Sequence, residues 1–77
     1  MGKRNNTCIF ALPSLTYAMR ASELLKNYGI YSRVVSLDPS ITKKGCAHGI
    51  ETECRNTLKT KNILLDQNIP ISEITGV

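Results

Sequence analysis

Tryptophan is absent from the sequence, phenylalanine occurs once and tyrosine three times, so aromatic side chains make up only 5% of the 77 residues. A single-stranded nucleic-acid platform needs aromatic rings for bases to stack on. The segment GCAHGIETEC, which reads as a central strand, has none, so an RNA-binding surface of that kind is not expected and no nucleic-acid partner is. Histidine occurs once and cysteine three times. Cys46, His48 and Cys54 give three candidate ligands in the pattern C-x-H-x5-C, short of the four ligands in paired spacings that a structural zinc site uses. No metal and no cofactor are expected. No apolar run approaches the roughly 18 residues needed to span a bilayer. The opening MGKRNN leads into only TCIFAL before Pro13, too short for the apolar stretch of a secretory leader. The odd cysteine count, in spacings unlike a disulfide framework, fits a reducing compartment. The expected location is the cytoplasm, with no membrane association.

What the chain does contain is 42% hydrophobic and 21% charged residues, an ordinary balance for a folded domain rather than a disordered one. The net charge is +4, but its ten Lys and Arg are scattered along the chain and read as solvated surface or as weak steering toward an acidic partner. A chain this short buries only about 60% of the surface its unfolded form exposes. Its core is therefore thin, and an enclosed active site is hard to build. The composition favours a carrier, binding module or partner subunit over an enzyme.

Residues 1–6 are basic and polar and are expected to be disordered; residues 7–77 read as one domain. Thr7 to Leu12 is a short apolar run closed by Pro13, the length of a buried strand. Ser14 stands where a helix N-cap belongs. Tyr17, Ala18, Ala21, Leu24, Leu25 and Tyr28 then share one face of an amphipathic helix that Gly29 ends. Tyr31 to Leu37 alternates and is rich in β-branched residues, Asp38 to Gly45 is a turn-rich loop, and Ala47 to Glu53 reads as a third strand. Arg55 to Gln67 is a weaker helix, stopped by Asn68, and Ile71 to Thr75 a final strand.

An internal echo supports this order. LKNYGI (25–30) and LLDQNI (64–69) align as helix end, a residue tolerant of positive φ, then Ile entering a strand. Two β-α-β units in series give an α+β fold, the ferredoxin-like βαββαβ arrangement, with two helices on one face of a four-stranded antiparallel sheet. The first and third strands are read as central neighbours running parallel. The uncovered sheet face is then solvated or covered by a partner, and a homodimer through it is a reasonable expectation.

Cys46 is the leading chemical candidate. It lies in KKGCAHG, preceded by Lys43, Lys44 and Gly45 and followed by Ala47, His48 and Gly49. Nearby cations favour the thiolate, the nucleophilic form, and flanking glycines leave the sulfur approachable. The alternative is a small residue at a strand start with solvated lysines around it. His48 reads either as a hydrogen-bonded strand residue or as a base for Cys46 in extended chain. Cys8 reads first as a core thiol. With parallel central strands it also comes to the same sheet end as Cys46, where it could act as a resolving thiol. Cys54 falls at the far end of the third strand and reads as structural or incidental. Pro13 to Thr16 is a helix entry that could cradle an anion, or simply an N-cap. The parallel arrangement puts it at the end away from Cys46.

The stretch from Cys8 to Glu51 resembles the small selenium/sulfur carrier-like proteins. The matching features are the strand Ile9–Leu12, the turn Pro13–Thr16, the helix pattern Arg20–Leu25, Gly29-Ile30, Pro39, and the segment Cys46-Ala47-His48-Gly49. Ala47 departs from the glycine common after the cysteine in that family, which reduces backbone freedom beside the thiol. The resemblance spans roughly residues 7 to 75. It implies a non-catalytic carrier that holds sulfur or selenium on Cys46 as a persulfide or perselenide. Lys43 and Lys44 would stabilise the anion, and Gly45, Ala47, His48 and Gly49 would surround the cargo. Its partners would be a desulfurase-like donor protein and an acceptor protein. The competing reading is a regulatory or interaction module that uses its open sheet face, with the cysteines incidental.

Overall fold

A computed structural model describes residues 7–38, 40 and 45–76. The elements follow in the order β1 (Thr7–Leu12), α1 (Leu15–Asn27), β2 (Ser32–Ser36), β3 (His48–Glu53), a short 3-10 turn (Cys54–Asn56), α2 (Thr57–Asp66) and β4 (Glu73–Gly76). The expected elements are therefore present in the expected order. The second helix splits into the 3-10 turn and a shorter α-helix, and the last strand starts at Glu73 rather than Ile71. The reading of residues 1–6 as disordered lies outside the described residues.

The four strands form one sheet in the order β2-β3-β1-β4. Each neighbouring pair is antiparallel. This corrects the parallel pairing expected of β1 and β3. Both lie in the centre, but β3 runs opposite to β1, with Cys8 across from Thr52 and Leu12 across from His48. The reason is topological. The crossover through α1 sets β2 parallel to β1 with a one-strand gap between them, and β3 returns through that gap. The two halves that echo in sequence are thus related by a rotation, so equivalent strands run in opposite directions.

Alternation along the strands separates two faces. Cys8, Phe10 and Leu12 of β1 share a face with Thr52, Ile50 and His48 of β3, their cross-strand partners. Phe10, Leu12 and Ile50 are fully buried there, against Ala18, Ala21 and Leu25 of α1 and Ile63 and Leu64 of α2. Both helices thus cover the same face. Removing a side chain such as Leu25 or Leu64 from water contributes about 1.5–3 kcal/mol. Thr52, at 1% exposure, is satisfied by donating its hydroxyl to the Tyr31 carbonyl at 2.7 Å.

The two helices end alike. Gly29 (φ 73°) and Asn68 (φ 62°) both adopt left-handed backbone. In α1 the Ile30 and Gly29 amides donate to Leu25 and Lys26 carbonyls; in α2 the Ile69 and Asn68 amides donate to Leu64 and Leu65 carbonyls. These are paired Schellman closures, and each places a buried Ile beside a buried Leu of the last turn. The echo in sequence is this repeated helix stop.

The helices begin differently. Ser14 accepts the Tyr17 amide at 3.2 Å and caps α1. At the start of α2 neither Glu53, before the 3-10 turn, nor Asn56 makes a side-chain cap bond. The Thr57 and Thr60 hydroxyls are buried without a hydrogen-bond partner, each at a cost of about 1–3 kcal/mol. A disulfide between Cys8 and Cys54, with Cα atoms 4.9 Å apart, ties this end to β1. Closing a 46-residue separation contributes about 4 kcal/mol by restricting the unfolded chain.

Gly49 is packed where β3 passes β1. A Cβ there would collide with the Phe10 carbonyl and press on the Leu37 side chain. Because one contact is rigid backbone, Gly49→Ala is expected to destabilise the fold by about 1–3 kcal/mol. Urea unfolding measures this, and an unchanged midpoint would show that the strands can separate locally at no cost.

Candidate functional site

The antiparallel register decides which candidates meet. Cys46 precedes β3, and β3 begins with His48 opposite both Leu12 of β1 and Ser36 of β2. The residues before His48 therefore lie at the sheet end where β1 stops and α1 starts. This reverses the expectation for Pro13–Thr16: the capped entry to α1 is at the Cys46 end. The turn, the residues after β2 and the approach to β3 converge there, held by the Leu37 amide donating to the Ala47 carbonyl at 2.8 Å.

Cys8 is at the other end. It lies four residues from Leu12 along β1, about 13 Å of extended chain, and its sulfur is bonded to Cys54. The expected Cys8 resolving role for Cys46 is thereby corrected, because antiparallel strands carry the two cysteines to opposite ends. Cys54, read as structural or incidental, is the partner of Cys8. The signal for this pairing was in the sequence: Cys8 opens the first strand and Cys54 follows the third, which an antiparallel register brings together. The bridge also removes the inference of a reducing compartment from cysteine spacing. The odd count resolves into one disulfide and Cys46.

Cys46 itself is 7% exposed, so the expectation of an approachable sulfur is corrected: the glycines on either side do not open it. Gly45 is exposed and has φ +68°, with nothing within 4 Å of an added Cβ. Its demand is on backbone conformation, not on space. Gly49 plays a different part, allowing close strand approach as described above. Ala47 and His48 are half-buried, and His48 shares the helix-covered face with Leu12 and Ile50. Lys43 and Lys44 lie outside the described residues. Among the described residues no group of three or more His, Cys, Asp and Glu is arranged to hold a metal ion. Cys46 and Cys54 flank β3 at its two ends. No helix among the described residues is long and apolar enough to cross a membrane.

The loop leading to Cys46 starts in a local turn. The Asp38 carboxylate accepts the Ser40 amide at 3.0 Å and the Ser40 hydroxyl at 2.8 Å. These bonds, the backbone one foremost, hold the Asp38 carboxyl below the usual carboxylate range. A depressed folded value means that the stabilisation is present above the unfolded value and lost as pH falls through the folded one. Ser40→Ala is expected to raise the Asp38 midpoint in an NMR titration; an unmoved midpoint would exclude the side-chain contribution.

A backbone test addresses Gly45. Gly45→Val is expected to cost about 1–2 kcal/mol through the left-handed conformation, and Gly45→Asn less, because Asn tolerates that region. Equal losses in thermal unfolding would argue against φ as the cause.

A family model described as putative Se/S carrier protein-like matches residues 7–75, from the first residue of β1 into β4. No curated protein and no solved structure matches the chain.

Proposed function

We propose, on the premise that the chain belongs to the Se/S carrier protein-like family, that Cys46 carries a sulfur or selenium atom between partner proteins. The observation that carries this reading is the division of the cysteines. Cys8 and Cys54 are consumed in a bridge, while Cys46 stands outside it at the end of the sheet where α1 begins. We read the strand order and connections as the ferredoxin-like, split βαβ arrangement, a scaffold whose loops meet at the sheet ends.

In the transfer, the Cys46 thiolate attacks the outer sulfur of a donor persulfide. The donor leaves as a thiolate and Cys46 holds the persulfide. An acceptor thiolate then takes the outer atom and Cys46 returns to its thiolate. Selenium travels in the same way as a perselenide. Each chain carries one atom and turns nothing over, so the protein is a carrier and not an enzyme. Three features of the chain suit an anion at this end. The α1 terminus presents amide groups with a positive partial charge. Lys43 and Lys44 supply two cations shortly before Cys46 in the sequence, and His48 follows two residues after. The burial of Cys46 protects a labile persulfide from stray thiols, and loading requires the donor to reach the covered sulfur. Donor and acceptor proteins are the partners this reading requires.

The interaction-module alternative and the homodimer through the open sheet face gain little from the side chains there. That face carries the Arg33–Glu51 ion pair at 2.8 Å, and the register adds Glu53 and Glu73 to it. Ile9 and Val35 are half-buried among them, so the described residues of that face present no wide apolar patch for a stable partner.

Incubation with a cysteine desulfurase and cysteine, or with a selenocysteine lyase and selenocysteine, followed by intact-mass analysis, tests the reading. The expected result is a gain of one sulfur or one selenium, reversed by a reductant and absent in Cys46→Ala. A gain that persists in Cys46→Ala would remove Cys46 from the role, and no gain with either donor would favour the interaction module.

A further inference from the structure

We propose that the Cys8–Cys54 bridge is a thiol–disulfide switch that sets whether the first two turns of α2 stay docked on the sheet. The inference does not depend on the role of Cys46, which lies at the opposite end.

Four observations converge on the start of α2. First, the bridge joins a rigid position to a loosely held one. Cys8 is 7% exposed in β1, which is paired on both sides, whereas Cys54 opens the three-residue 3-10 turn before α2. Second, no side-chain cap holds either the turn or the helix start, in contrast to Ser14 on α1. Third, the Thr57 and Thr60 hydroxyls are buried with no hydrogen-bond partner, so docking this segment opposes their solvation. Fourth, the apolar anchors of α2 are Ile63 and Leu64 in its second half, while Leu58 in its first turn is 70% exposed. The covalent bond is what keeps the first half of α2 in place. Without it, solvating the two threonines favours release, while the sheet stays intact and Ile63 and Leu64 stay anchored in the core.

The switch is thrown by a dithiol reductant, a small molecule or a protein. One of its thiolates attacks Sγ of Cys54, the less buried residue of the pair. The S–S bond breaks, and its electron pair leaves on Cys8 Sγ, which takes a proton from water. The reductant's second thiolate attacks its own sulfur in the mixed disulfide and releases Cys54 as a thiolate, which is also protonated. The protein gains two electrons and two protons, and the reductant ends as its intramolecular disulfide.

The test uses Cys46→Ser, so that Cys8 and Cys54 are the only cysteines, and compares amide hydrogen exchange before and after dithiothreitol. On reduction, exchange of the amides of residues 61–66, whose helical acceptors are the carbonyls of 57–62, is expected to accelerate at least about tenfold, with β1 and β3 little changed and protection restored by reoxidation. Unchanged exchange in α2 would overturn the proposal. So would an equal loss across β1 and β3, which would make the bridge a general staple, or two alkylatable thiols in the air-oxidised folded protein. Cys8→Ala/Cys54→Ser in the same background should show the reduced pattern with or without reductant; failure of this variant to fold would likewise make the bridge a general staple. Trapping with glutathione and peptide mapping should find the adduct on Cys54. An adduct on Cys8 would overturn the assigned direction of attack.

Discussion

The antiparallel pairing of β1 with β3 is the constraint on which the rest of the molecule depends. It sets Leu12 opposite His48 and Cys8 opposite Thr52, and from those two pairs the two ends of the protein follow. At one end stand the capped start of α1, the approach to β3 and Cys46. At the other stand the Cys8–Cys54 bridge and the uncapped start of α2. A parallel register would have put all of the N-terminal strand ends on one side and made a different protein from the same elements.

That separation gives the two sulfur chemistries different surroundings. Cys46 is buried at a convergence of loops, beside a glycine in left-handed backbone. The bridge sits where helix capping is missing and where two hydroxyls are buried unsatisfied. A small domain has little core to spare, and here Phe10, Leu12, Leu25, Ile50 and Leu64 supply most of it. Local deficits at the start of α2 are then offset by a covalent bond rather than by more apolar area.

Much of this was legible in the residues. The periodicity of Tyr17 to Tyr28 marked α1, Ser14 its cap and Gly29 its stop, and all three are found. The likeness of LKNYGI to LLDQNI is a repeated Schellman closure with positive φ at Gly29 and Asn68. The family resemblance, carried by the segment around Cys46 and by the helix pattern, agrees with the match over residues 7–75. What the residues did not disclose was the relation between the two echoing halves. Sequence similarity at a fixed offset is the same whether two units are translated or rotated, so the echo alone left the direction of β3 open. Three misplacements followed from that one choice: Cys8 beside Cys46, the α1 entry away from it, and Cys54 without its partner.

The sequence by itself determined the elements, their order, their stops and the faces they bury, because those follow from local backbone preference and from the spacing of apolar side chains. Only the tertiary structure decided which strand ends coincide, which cysteines join and how deeply Cys46 is covered. Those outcomes rest on the pairing of segments some forty residues apart, Cys8 with Cys54 being separated by 46. Pairing at that distance is set by how the whole chain closes around one core, and no window of sequence contains it.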